Sequence, residues 1–266
     1  MVYFNESLAA QVFCPEIPVI FLHAFPLNHS MWEPQMASLE EKGVGYLAPD
    51  FPGFGASKVS PITYQMSDYA ELVNRLLSEL GIRKAIVVGL SMGGYVALAL
   101  YRNHPEIFAG LMLANTRASA DSPETRERRM DMIKSLQTTG DLNPIIDSHI
   151  PKFFTEITRK NKQDLVEQII FQMQKSSVDG VIQALLAMAD RADSRPILPT
   201  INFPVTVVTG DADPLTGIED AQDMVSRIPG AELVIIREAA HLSNIEQPRQ
   251  FNSALENLLT KVKKQN

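Results

Sequence analysis

A serine hydroxyl becomes a nucleophile only where the backbone pushes it into the open and a base stands ready to take its proton. Gly89-Leu90-Ser91-Met92-Gly93 has the first property, because it directly follows the apolar run 84–88 and directly precedes a helical pattern. A serine at such a strand-to-helix turn is held in a strained backbone conformation. Its neighbours must therefore be small, and Gly89 and Gly93 meet that demand. The start of the helix adds positive dipole where an oxyanion would form. Read alone, the pentapeptide is also an ordinary glycine-rich turn. The strand before it and the helix after it favour the nucleophile.

The base and its partner must come from elsewhere in the chain. Of five histidines, His241 is best placed, because it follows the apolar run 232–236 across a short loop. His104 closes a helical pattern, His149 lies among helical patterns, and His29 sits in a loop near residues 23–26. Each of those reads as a surface or satisfied histidine. A buried acid must then fix the imidazole tautomer. Gly210-Asp211-Ala212-Asp213-Pro214 follows the run 205–209 and offers two aspartates, one as the acid and one as a turn former. The resulting order is Ser, Asp, His, at the ends of three different strands. Two N–H donors would hold an oxyanion: that of Met92, just after the serine, and that of Phe25 in His23-Ala24-Phe25-Pro26.

Positioning these groups requires a sheet. Continuous apolar runs at 18–22, 44–48, 84–88, 111–114, 205–209 and 232–236 are buried strands, and between them lie helical patterns at 66–80, 94–104 and 251–262. The alternation predicts an open, mostly parallel α/β sheet with helices on both faces. Residues 117–177 break it, with helical patterns at 125–136, 144–154 and 163–175 and no strand. We read 117–177 as a helical cap inserted into a core made of 1–116 and 178–266.

Composition narrows the partners. The net charge of -7 over 266 residues leaves no basic footprint for nucleic acid. Cys14 is the single cysteine, so no intramolecular disulfide forms. No apolar run approaches the ~20 residues of a membrane span, and residues 1–14 lack the basic-then-apolar pattern of a signal peptide. The expectation is a cytoplasmic protein whose partner is a small molecule, with neither nucleic acid nor membrane involved.

The motifs together resemble the α/β-hydrolase family nearly end to end. His23-Ala24-Phe25-Pro26 with Trp32 resembles the family's oxyanion segment, and Asp50-Phe51-Pro52-Gly53-Phe54-Gly55-Ala56-Ser57 the loop after its fourth strand. Residues 89–94 resemble its nucleophile elbow, 210–214 its acid turn, and His241-Leu242-Ser243-Asn244-Ile245-Glu246-Gln247-Pro248 its histidine segment. The histidine segment, with Ser91-Met92-Gly93-Gly94, is most similar to 3-oxoadipate enol-lactonases and to neighbouring esterases and cofactor-free perhydrolases. The resemblance implies the α/β-hydrolase fold, with a helical cap after the sixth strand. It implies cleavage of a carboxylic ester or lactone through an acyl-enzyme, with Ser91 as nucleophile, His241 as base, and Phe25 and Met92 as oxyanion donors. It places the acid on Asp213 rather than Asp211; some members carry it after the sixth strand, but Asn115 stands there and cannot serve. Trp32 and His23 are expected in the substrate pocket, and no metal or organic cofactor is required. A ligand-binding homologue with little turnover, or a C–C hydrolase or perhydrolase on the same residues, is the alternative. Arg117, Arg126, Arg128 and Arg129 would suit a carboxylate-bearing substrate, although the plainer reading, adopted here, is exposed helix arginines. Two features depart from the family. Ala24 stands where glycine is usual, and the short N-terminus leaves little chain for the first two strands.

Overall fold

Among the described residues, eight strands form one sheet: β1 (Val2–Phe4), β2 (Leu8–Phe13), β3 (Val19–Leu22), β4 (Tyr46–Asp50), β5 (Ala85–Leu90), β6 (Phe108–Ala114), β7 (Val205–Gly210) and β8 (Glu232–Ile236). The computed structural model describes residues 2–4, 8–13, 17–59 and 61–265; Cys14 lies outside them. The spatial order is β1-β2-β4-β3-β5-β6-β7-β8. The six strands from β3 to β8 are mutually parallel, and β1 and β2 add an antiparallel edge. Every residue of β3 to β7 is buried, which is why those runs are apolar without alternation. β8 closes the other edge, and its first four residues are partly or fully exposed.

The short N-terminal stretch accommodates two strands after all. Val2 pairs with Ala10 and Phe4 with Leu8, so the chain doubles back on itself, and β2 continues the sheet by pairing Ala9 with Asp50. A chain that reverses directly needs few residues for two strands.

The helices are α1 (Glu33–Glu41), α2 (Met66–Glu79), α3 (Met92–Asn103), α4 (Pro123–Thr139), α5 (Asn143–Phe153), α6 (Glu156–Asn161), α7 (Gln163–Gln174), α8 (Val178–Ala189), α9 (Ile218–Arg227), α10 (Ser243–Glu246) and α11 (Pro248–Gln265). α2 buries Tyr69, Leu72, Val73, Leu76 and Leu77, the three- and four-residue spacing of one helix face, and Gly81 follows at φ 68°. Five helices, α4 to α8, lie between β6 and β7. Their ends are set by capping: Ser122 accepts from the Thr125 N–H, Thr155 from Thr158 and Ser177 from Gly180. α8 meets the core where the Ser177 N–H donates to the Gly53 carbonyl at 2.8 Å. No helix among the described residues is long and apolar enough to cross a membrane.

Candidate active site

The turn from β5 into α3 holds Ser91 at φ 55° and ψ −114°, a conformation that costs a non-glycine residue about 1–3 kcal/mol. The surroundings enforce it. A Cβ on Gly93 would stand 1.9 Å from the Leu22 carbonyl oxygen, and one on Gly89 would stand 2.4 Å from the Gly93 oxygen, so neither position tolerates a side chain. The Ser91 N–H donates to the Ala114 carbonyl at 3.0 Å, and the Thr116 hydroxyl donates to the Ser91 carbonyl at 2.8 Å. Neighbouring strands thus clamp the turn, and the serine side chain opens into a cavity above the sheet.

Across that cavity stands His241, in the loop between β8 and α10. Its Nδ1 lies 2.9 Å from Asp213 Oδ2, and both side chains are almost wholly buried. Asp213 is the most heavily bonded carboxylate near the cavity. Oδ1 accepts from the Leu215 and Thr216 N–H groups, and Oδ2 accepts from the Thr216 hydroxyl and the Asn115 amide as well as facing His241. Burial pushes this carboxyl up. The His241 charge and the hydrogen bonds from His241, Asn115 and Thr216 outweigh it and hold the pKa at about 2. A carboxylate acceptor at Nδ1 leaves Nε2 as the basic nitrogen of neutral His241. Asp211 points elsewhere and accepts from the Ala239 N–H at 3.3 Å, which ties the turn after β7 to the histidine loop. Asn115 does not replace the acid; it steadies Asp213 with one end of its amide and accepts from the Ser243 hydroxyl at the other. Its place after β6 was visible in the sequence, but its partner was not.

Phe25 and Met92 are buried, and neither N–H donates to a protein acceptor among the described residues. The first N–H of α3 lacks an intrahelical partner by construction. The structure thus leaves both donors at the serine end of the site unspent.

His23 and Trp32 lie beneath the site, and neither lines the cavity as expected. Trp32 stacks on Phe21 with ring centres 4.9 Å apart and is fully buried in the core. His23 is also fully buried. The Phe51 N–H donates to its Nε2 at 2.9 Å, so Nδ1 carries the proton and donates to the Ala24 carbonyl at 3.0 Å. It therefore staples the loop carrying Phe25 to the loop after β4. Burial is the main force that lowers its pKa to about 4, against the nearby Asp50 charge.

That shift has a consequence for stability. A histidine held neutral in the fold binds fewer protons than the unfolded chain between about pH 4 and 6.5. Its contribution, roughly 3 kcal/mol, is full above pH 6.5 and is lost as pH falls toward 4. We expect the melting temperature to fall over that window. In His23→Gln, whose amide oxygen accepts the Phe51 N–H without titrating, the fall should be shallower. An unchanged slope in the variant would contradict this.

The cavity measures about 240 Å³. Its floor is Ser91, Tyr95, Thr216 and His241, and its roof comes from α4 and α5, including Arg128, Arg129, Met132, His149, Lys152 and Phe153. Phe153 stacks nearly parallel on His241, with ring centres 5.9 Å apart. The reading of the four arginines as plain surface groups holds for Arg126, which pairs with Asp190 in solvent. Arg117 and Arg129 are half-buried and line the cavity instead, whereas Arg128 is exposed as expected and also borders it. Arg117 is paired with Asp220 and Arg129 with Asp121. Arg128 and Lys152 have no ion pair among the described residues, so they leave the wall positive.

The chain is similar to known hydrolases over most of its length. The family described as alpha/beta hydrolase fold matches residues 17–248. The chain is 32% identical over 238 residues to the 3-oxoadipate enol-lactonase 2 of Acinetobacter baylyi, covering 90% of this chain and 86% of that one. It is 30% identical over 249 residues to the 3-oxoadipate enol-lactonase 1 of the same organism, covering 93% and 91%. Among solved structures, a thermophilic esterase from Thermogutta terrifontis with malate bound matches with a TM-score of 0.92 and 35% identity, over 96% of this chain and 93% of that one. The enol-lactonase from Burkholderia xenovorans LB400 matches with a TM-score of 0.88 and 27% identity, over 95% and 96%.

Proposed function

The chain belongs to the α/β-hydrolase family, and from that premise we propose that it cleaves a carboxylic ester or lactone through an acyl-enzyme. The observation that carries the reading is the Asp213–His241 pair at 2.9 Å, opening onto the same cavity as a strained Ser91. Ser91 Oγ attacks the carbonyl carbon while His241 Nε2 takes its proton. The developing oxyanion is held by the N–H groups of Phe25 and Met92. His241 then returns the proton to the leaving oxygen, and a water deprotonated by His241 releases the acid. Asp213 keeps the imidazole in its Nδ1–H form throughout and stabilises the imidazolium. In this reading residues 117–177 act as the lid, and α4 and α5 set the size of the substrate.

The positive wall supports a carboxylate-bearing substrate, such as a carboxylated lactone, in line with the names of the enol-lactonase relatives. A panel of neutral acyl esters, neutral lactones and carboxylated lactones tests this, with wild type, Ser91→Ala and the double variant Arg128→Gln/Lys152→Met. The double variant should raise KM for the carboxylated lactone roughly tenfold or more and leave the neutral esters nearly unchanged, since two unpaired cations are lost. Equal losses for charged and neutral substrates would rule out carboxylate recognition by this wall.

A further inference from the structure

One polar group in the cavity has no part in the reaction above. His149 on α5 lies between the two sides of the site. Its ring stands 5.7 Å from that of Phe25 and 5.4 Å from that of Phe153, which in turn stacks on His241. The imidazole therefore roofs the space between the oxyanion loop and the histidine loop. Its tautomer follows from its contacts. Nδ1 lies 2.9 Å from the Ile145 carbonyl, which only accepts, so Nδ1 carries the proton. The Ser148 hydroxyl donates to that same carbonyl at 3.0 Å, and its oxygen lies 2.8 Å from Nδ1, free to share the same proton. Nε2 is left bare, with no protein partner among the described residues, on a ring that lines the cavity. Burial, with help from the Lys152, His241 and Arg129 charges, lowers the pKa to about 4, so the ring is neutral in ordinary buffers.

The wall around it is rich in donors: the Arg128, Arg129 and Lys152 side chains. The Asp121 carboxylate, which also faces the cavity, is taken by Arg129 and Arg191. A neutral acceptor in such a wall cannot hold an anion, because its lone pair would repel the charge. It suits a group that donates. We infer that His149 Nε2 accepts a hydrogen bond from a hydroxyl on the bound substrate, so that the site favours hydroxylated carboxylic substrates over their plain counterparts. This refines the substrate class of the reading above and rests on it for the identity of the cavity as a substrate site.

The test uses two acids that differ by one hydroxyl, 3-hydroxyglutarate and glutarate, titrated calorimetrically into the protein at pH 7.5. One net hydrogen bond predicts roughly three- to tenfold tighter binding of the hydroxylated acid by wild type. His149→Phe keeps the ring shape and leaves the Ser148–Ile145 bond in place, and should bring that ratio close to one. His149→Asn keeps a donor near Nδ1 for the Ile145 carbonyl and loses the acceptor, and should behave like His149→Phe. His149→Gln carries an amide oxygen to the Nε2 position and should keep most of the preference. A ratio unchanged by His149→Phe, equal binding of both acids by wild type, or no binding of either would overturn the inference. If wild type shows the preference but cleaves no ester, the proposed reaction fails while this assignment stands.

Discussion

Ser91→Ala loses turnover of any ester the wild type cleaves by about 10⁴- to 10⁶-fold, because the residual rate comes only from binding and the oxyanion donors. The fold survives the change. The side chain that disappears is a single hydroxyl facing a cavity, and the clamps on the turn are backbone groups: the Ser91 N–H on Ala114 and the Ser91 carbonyl under Thr116. Ser91→Gly should lose turnover to the same extent and melt at a higher temperature than the alanine variant. Glycine adopts φ 55° without the penalty that serine and alanine both carry there. The measurement is steady-state turnover of one ester alongside thermal unfolding by circular dichroism. Equal melting of the glycine and alanine variants would mean that the turn is not strained. Turnover retained by either would remove Ser91 from the mechanism.

The two aspartates after β7 separate by a comparable factor. Asp213 accepts from two backbone N–H groups, the Thr216 hydroxyl and the Asn115 amide, and faces His241. Asp213→Asn can satisfy the Leu215 and Thr216 N–H groups with its oxygen. Its NH₂ then faces the Asn115 amide, the Thr216 hydroxyl and His241 Nδ1. A donor opposite Nδ1 favours the imidazole with its proton on Nε2, which cannot accept from Ser91, and turnover should fall about 10⁴-fold. Stability should fall too, since donors now meet in a buried space. Asp211→Asn should cost no more than a few-fold, because its one bond, from the Ala239 N–H, is made as well by an amide oxygen. A larger loss in Asp211→Asn would reverse the assignment, and two small losses would place the acid elsewhere.

What was legible in the sequence is what local chemistry dictates. Ser91, Asp213 and His241 each follow an apolar run within a few residues, and the structure sets them after β5, β7 and β8. Glycines at 89 and 93 announced a close approach, and Leu22 proves to be what approaches Gly93. The cavity wall was not legible, because it depends on how α4 and α5 fold back over the sheet. Nothing in the spacing of Arg117, Arg128 and Arg129 tells which of them turns inward, nor that His149 faces the cavity at all. His23 and Trp32 misled for a related reason. Resemblance to the family's oxyanion segment placed them at the site, but neither side chain turns toward the cavity, and each serves the core. β1 and β2 escaped notice because a direct chain reversal needs far less chain than two strands joined across the sheet.

The central claim is that Ser91 forms a covalent intermediate with help from His241. Incubation with a fluorophosphonate, followed by proteolysis and mass spectrometry, tests it without knowledge of the natural substrate. The account predicts one adduct, on the peptide carrying Ser91, absent in Ser91→Ala and formed far more slowly in His241→Gln. An adduct on another serine, or undiminished labelling of the Ser91→Ala protein, would contradict it.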